Sequence, residues 1–267
     1  MRMRFCPIAS GSNGNCLYVG TQRAHLLLDA GISGRNAEKA LSALNINGNL
    51  LDAIFVTHEH ADHLAGVGVL SRRFNLPVFA TRRVWGYIDR VSNVGGIAPE
   101  NRRVLVAGSP VAVKDIAVRP FNVPHDAAET LGYTFESQGL KAAVATDLGH
   151  APDDVVKNLN GADILLLESN HDVRMLKSGR YPPELKERVL GDYGHLSNAD
   201  AGQLLARVAG ARLKHVFLGH LSAENNTPMT ALETVSRVLL ANGIVPNADF
   251  GLYIARRGRM SDPIALD

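Results

Sequence analysis

Thr57-His58-Glu59-His60-Ala61-Asp62-His63 places three histidines and an aspartate within six residues, directly after the apolar run Ala53-Ile54-Phe55-Val56. A short apolar run bounded by polar residues predicts a buried strand, so the donors sit where that strand ends and a loop opens. Neutral imidazoles and a carboxylate suit borderline divalent cations. In a strand-end turn, His58 and His60 converge on one cation while Asp62 and His63 reach a second nearby.

Four later apolar runs end in the same manner. Run 116–123 stops at Pro124-His125-Asp126, 142–145 at Thr146-Asp147, 164–167 at Glu168-Ser169-Asn170, and 216–218 at Gly219-His220. Active sites in layered α/β architectures gather where loops leave the strands, so these ends are expected to meet the histidine loop in space. A two-metal hydrolytic site also needs a group that bridges the cations. Asp147, a carboxylate with two oxygens at the end of a buried strand, is the expected bridge. The reading gives one metal His58, His60, His125 and Asp147, and the other Asp62, His63, Asp147 and His220. With no thiolate in the set, zinc, manganese or iron fits. A hydroxide between the ions, oriented by Asp62, is the expected nucleophile, because bound water loses its proton near neutral pH.

Around this centre the chain reads as alternating strands and helices. Strands are expected over 3–9, 16–19, 25–28 and 77–80, and helices over 37–44, 64–74 and 84–91. The connection Ser10-Gly11-Ser12-Asn13-Gly14-Asn15 reads either as a phosphate-binding loop or as a plain hairpin turn, and no lysine follows it as a P-loop requires. Further helices are expected over 153–159 and 184–190, from the capping box Ser197-Asn198-Ala199-Asp200 to about 208, and after Thr227-Pro228. Two halves, roughly 1–115 and 116–260, then form a two-sheet sandwich with helices outside, an α/β fold in a single domain over 1–267.

Bulk properties narrow the setting. The 267 residues are 46% hydrophobic, ample for a core, and the net charge of +2 points to neither nucleic acid nor membrane. The charge is uneven: Arg72, Arg73, Arg82, Arg83, Arg90, Arg102, Arg103, Lys114 and Arg119 face only Asp89, Glu100 and Asp115 between residues 64 and 120. That block is suited either to a polyanion or to a solvated surface on two helices. Trp85 within it is suited to stacking on bases or to helix packing. Cys6 and Cys16 form no metal or redox pattern and fit a reducing cytoplasm, and no apolar run reaches a membrane span of roughly 18 residues. The expectation is a soluble cytoplasmic protein that engages no membrane.

The pattern His-x-His-x-Asp-His, followed by separate His, Asp and His ligands, resembles the metallo-β-lactamase superfamily, which implies an αββα fold with two mixed sheets packed face to face. The β-lactamases carry a cysteine where this chain has Asp147, and only 72 residues separate Asp147 from His220, too few for the β-CASP insertion of some nucleases. Glu168 and His195 are similar to the pair that assists leaving-group departure in the tRNA 3′-processing endonucleases. The resemblance implies that Glu168 orients His195, which donates a proton to the leaving oxygen or stabilises the phosphoryl group.

Ser10-Gly11-Ser12-x-Gly14-Asn15-Cys16, Glu168-Ser169-Asn170-His171-Asp172, Gly194-His195-Leu196-Ser197-Asn198 and His220-Leu221-Ser222-x-Glu224-Asn225-Asn226 together resemble the YycJ (WalJ) group of bacterial proteins, regarded as 5′-to-3′ DNA exonucleases. Ser12, Asn15, Asn170, His171 and Asn225 in these motifs are candidate substrate contacts. The implied activity is two-metal phosphodiester hydrolysis on nucleic acid. The alternatives are a small-molecule hydrolase acting on a thioester, lactone or cyclic phosphodiester, and a non-catalytic module that kept the fold.

Overall fold

A computed structural model describes residues 2–91 and 94–267. In chain order its main elements are β1 (Met3–Ala9), β2 (Cys16–Gly20), β3 (His25–Leu28), α1 (Gly34–Ala43), β4 (Ala53–Phe55), α2 (Ala61–Leu64), α3 (Val67–Phe74), β5 (Val78–Thr81), α4 (Arg82–Ile88) and β6 (Arg102–Leu105). There follow β7 (Val111–Val113), β8 (Ile116–Asn122), β9 (Leu131–Ser137), β10 (Leu140–Ala145), α5 (Asp153–Leu159), β11 (Ile164–Glu168), α6 (Val173–Ser178), α7 (Pro183–Leu190), α8 (Asn198–Val208), β12 (His215–Gly219), α9 (Pro228–Ala241), β13 (Gly251–Ile254) and β14 (Ile264–Leu266). The strands form two mixed seven-stranded sheets, ordered β14-β1-β2-β3-β4-β5-β6 and β13-β12-β11-β10-β9-β8-β7.

The unbroken apolar runs have a simple cause: these strands are covered on both faces. In β4, Ala53 and Phe55 face the opposite sheet while Ile54 packs under α1, α3 and α4. In β11, Ile164 and Leu166 face the first sheet, and Leu165 and Leu167 pack under α5, α8 and α9. Four layers result, helices outside and sheets inside, which is the expected αββα sandwich. Among the described residues no helix is long and apolar enough to cross a membrane.

Several boundaries differ from the sequence expectation. The helix expected over 64–74 is interrupted at Gly66, whose N–H donates to Ala30 O at 2.6 Å. A Cβ there would lie 2.3 Å from Ile32 O, so only glycine permits this approach. Arg102 and Arg103 open an edge strand rather than a helix, where charged side chains guard unpaired backbone. The halves also divide differently. β7 already belongs to the second sheet, and β14, from the other end of the sequence, pairs with β1 in the first.

Strand direction gathers the chemistry at one edge. β3 to β6 run parallel, as do β10 to β13, so their carboxyl ends deliver Asp29, Thr57, Asp147, Glu168 and Gly219 together. Three hydrogen bonds brace the sheets beneath this edge: Tyr133 Oη to Val56 O (2.6 Å), Leu131 N to Thr57 O (3.1 Å) and His220 N to Ser10 Oγ (2.9 Å). The basic block is divided by the same topology. Arg82 and Arg83 follow β5 at the site edge, and Arg83 donates to Ala128 O (3.1 Å). Arg72 and Arg73 close α3 and Arg102 opens β6, at the far edge.

Candidate active site

The donors of the first sheet are fixed by a small network around Asp29. Thr57 N donates to Asp29 Oδ1 (2.8 Å) and Thr57 Oγ1 to Asp29 Oδ2 (2.9 Å). Thr57 Oγ1 is thereby left to accept from His58 Nδ1 (3.0 Å), which turns the His58 Nε2 lone pair toward His60 Nδ1, 3.0 Å away. Asp29 Oδ2 also accepts from His63 Nδ1 (2.7 Å), directing His63 Nε2 toward Asp147 Oδ2 (3.5 Å) and Asp62 Oδ2 (3.6 Å). An anchored Nδ1 fixes both the tautomer and the ring direction of a ligating histidine.

The second sheet uses the same device with other acceptors. His125 Nδ1 is held by Gly194 O (3.2 Å) and His220 Nδ1 by Glu168 Oε1 (2.8 Å). His125 Nε2, His220 Nε2 and Asp147 Oδ2 are buried with no hydrogen-bond partner among the described residues. Asp29, Asp147 and His220 have φ of 56°, 57° and 53°, the left-handed turn that aims each side chain back over the sheet edge.

Ligand atoms of His58, His60 and His125 lie within 4.8 Å of one another, as do those of His58, His63 and Asp147, of Asp62, His63 and His220, and of Asp147, Glu168, His195 and His220. Buried nitrogen and oxygen atoms without partners are costly unless something engages them. Divalent cations fit this donor set, with Asp147 belonging to both sides of it.

Charge is distributed unevenly over the cluster. Burial and the neighbouring imidazoles hold His58 well below the usual histidine range, so its imidazole is neutral. Burial would lower His63 as well, but the Asp29 and Asp147 carboxylates outweigh it and push the imidazole up to about 9. Burial opposes ionisation of Asp62, yet His220 and His63 hold its carboxyl far below the ordinary range.

Glu168 is fully buried and shared. Its Oε1 accepts from both His195 Nδ1 (2.8 Å) and His220 Nδ1 (2.8 Å), while Oε2 accepts from Leu148 N (2.9 Å) and Leu196 N (3.2 Å). Burial alone would raise this carboxyl, but the His195 and His220 imidazoles keep it ionised. Burial pulls His195 down, but the charge and hydrogen bond of Glu168, helped by Asp147, together outweigh it, so its net shift is upward.

Above the cluster lies a cavity of about 260 Å³ that touches His60, Asp62, Asp147, His195 and His220. Ser12 and Asn170 also line it. Asn15, His171 and Asn225 are buried and are not among the residues lining it. Asn15 instead lies under the metal loop, where its Nδ2 donates to Asp62 Oδ2 (3.2 Å). Trp85 is buried, donates from Nε1 to Arg103 O (3.1 Å) and carries the Arg102 guanidinium over its ring, so packing is its role.

Sequence reasoning missed Asp29, although run 25–28 ends there in the pattern that marked the other ligands. It also missed Gly194, whose contribution is a backbone carbonyl and leaves no side-chain signal, and Arg188, which lines the cavity while paired with Asp126.

Residues 25–220 match the family model described as the beta-lactamase superfamily domain. The chain is 42% identical over 253 residues to a Bacillus anthracis protein named exodeoxyribonuclease YycJ, covering 95% of both. It is 36% identical over 250 residues to exodeoxyribonuclease WalJ of Streptococcus pneumoniae, covering 94% of this chain and 93% of that one. Among solved structures it is similar to the metallo-beta-lactamase fold protein YhfI from Bacillus subtilis, with a TM-score of 0.72 at 14% identity over 98% of this chain and 99% of that one.

Proposed function

From the premise that this chain belongs to the beta-lactamase superfamily and is a metal-dependent hydrolase, we propose that it is an exodeoxyribonuclease that degrades DNA from the 5′ end. The observation that carries the reading is the Glu168–His195 pair set over a cluster of unpartnered ligand atoms, in a chain 42% identical to a protein named as an exodeoxyribonuclease.

His58, His60, His125 and Asp147 would hold one divalent cation, zinc, manganese or iron, and Asp62, His63, Asp147 and His220 the other. When bound, such a pair supplies a nucleophile from water at neutral pH and positive charge for the phosphoryl oxygens. Asp62, partly exposed at the cavity, orients the attacking water by accepting its proton-bearing edge. His195 is tied to Glu168 through Nδ1, which leaves Nε2 to donate a proton to the departing sugar oxygen. Glu168 keeps that imidazole oriented and favours its protonated form.

Digestion of 5′-labelled and 3′-labelled duplex DNA and RNA with Mn or Zn, comparing wild type with Asp147→Ala and His195→Ala, tests this reading. Stepwise release from the 5′ end of DNA is expected, abolished by Asp147→Ala and strongly reduced by His195→Ala. If polymers survive while small esters or phosphodiesters are hydrolysed with the same Asp147 dependence, the metal centre stands and the nuclease assignment falls.

A further inference from the structure

One short segment contributes several residues to the lining of the cavity. Tyr181, Leu185 and Arg188 all line it, at the i, i+4, i+7 spacing of a single helix face running from just before α7 to near its end. Pro182 and Pro183 fix the backbone where Tyr181 leads into the helix. At the other end, His195 N donates to Val189 O (3.0 Å), so this helix is hydrogen-bonded directly to the backbone of His195.

Arg188 is the informative member. Among the described residues its one side-chain hydrogen bond runs from Nε to Asp126 Oδ2, and Asp126 follows His125 in sequence, with Oδ1 3.4 Å from His125 Nε2. Asp126 therefore holds the guanidinium at Nε, leaving both terminal amino groups without a hydrogen-bond partner among the described residues. Two parallel N–H groups on a fixed plane match a phosphoryl group, which a point charge would not do equally well. Half-buried Tyr181, seven residues away on the same face, offers an aromatic ring, and every base has a face to stack on it. Leu185 between them is an apolar contact for a sugar.

Resting on the nuclease reading above, we propose that Tyr181, Leu185 and Arg188 form the subsite for the terminal nucleotide, recognised as a nucleoside 5′-monophosphate. Arg188 engages the phosphate and Tyr181 stacks on the base. Recognition by stacking is indifferent to base identity, as removal of successive nucleotides requires.

Calorimetric binding of dAMP, inorganic phosphate and deoxyadenosine to the Mn-loaded protein tests this directly. Wild type should bind dAMP more tightly than either fragment. Tyr181→Ala should weaken dAMP roughly tenfold while leaving inorganic phosphate alone, and Tyr181→Phe should restore it. Arg188→Gln should weaken dAMP and inorganic phosphate roughly tenfold each. The inference is overturned if wild type binds dAMP no better than phosphate, or if either Tyr181→Ala or Arg188→Gln leaves dAMP binding unchanged. A protein that shows the expected binding pattern but cuts no DNA overturns the nuclease reading alone. One that degrades DNA from the 5′ end without preferring dAMP overturns this inference alone.

Discussion

The two sheets supply one cluster by different means. The first delivers His58, His60, Asp62 and His63 from a single turn after β4, whereas the second sends His125, Asp147, Glu168 and His220 from four separate strand ends. A local turn is held in shape largely by its own neighbours, with Thr57 at its start and Asp29 and Asn15 bonded to it from outside. The dispersed set has no such closeness in sequence, so shared acceptors must couple its members. Glu168, bound to two imidazoles at once, is the main coupler.

That difference is broken most sharply by comparing His195→Ala with Glu168→Gln. Loss of His195 should lower kcat on DNA by about 10²- to 10⁴-fold and leave metal content unchanged. Glu168→Gln should lower kcat at least as far and also weaken metal binding, because a neutral amide no longer anchors the His220 ring. Metal analysis beside steady-state kinetics separates the two. Full metal retention in Glu168→Gln would mean that the second sheet does not depend on a shared acceptor.

Asp29→Asn probes the first sheet in the same way. Asparagine tolerates the left-handed φ of 56° at this position, so the substitution removes charge with little backbone cost. Metal affinity is expected to fall about 10- to 100-fold, the usual effect of losing a carboxylate behind a ligating histidine. Competition with a chromogenic chelator measures it, and an unchanged affinity would show that Thr57 alone suffices to hold the loop.

The same contrast explains what the sequence disclosed. Four donors packed into Thr57–His63 announce themselves, and runs ending in His125, Asp147, Glu168 and His220 are visible once a strand-end rule is applied. The layers follow from apolar runs too continuous for a half-solvated sheet. What stayed hidden depends on three-dimensional pairing. The Gly194 carbonyl carries no side-chain signature, Gly66 marks a helix break only through its contact with Ile32, and short β7 and β14 join sheets that sequence order does not suggest. Asn15, His171 and Asn225 lie in the motifs that carry the resemblance, yet all three are buried and none lines the cavity.

The smallest effect concerns whether the halves unfold together, as expected of one domain over 1–267. Both cysteines lie in the first half, and burial pushes the Cys6 thiol up from 9.0 to about 12 and raises Cys16 as well. The folded chain thus keeps these protons to higher pH than the unfolded chain. Their contribution is intact below pH 9 and declines as pH rises toward 12, with the buried Tyr18 phenol, also raised to about 12, adding to the loss above pH 10. By pH 10 the loss for Cys6 is about 1 kcal/mol, and Cys6→Ala should remove that much of the alkaline slope even though the smaller side chain lowers stability at every pH. Urea transitions followed by Trp85 fluorescence report the first half, and far-ultraviolet circular dichroism reports both. If the halves are one cooperative unit, the two transitions coincide and Cys6→Ala flattens the pH dependence of both equally. A dichroism transition that splits, with only its Trp85-linked part responding to Cys6→Ala, would show that the braces through Tyr133, Leu131 and Ser10 do not join the sheets into a single folding unit.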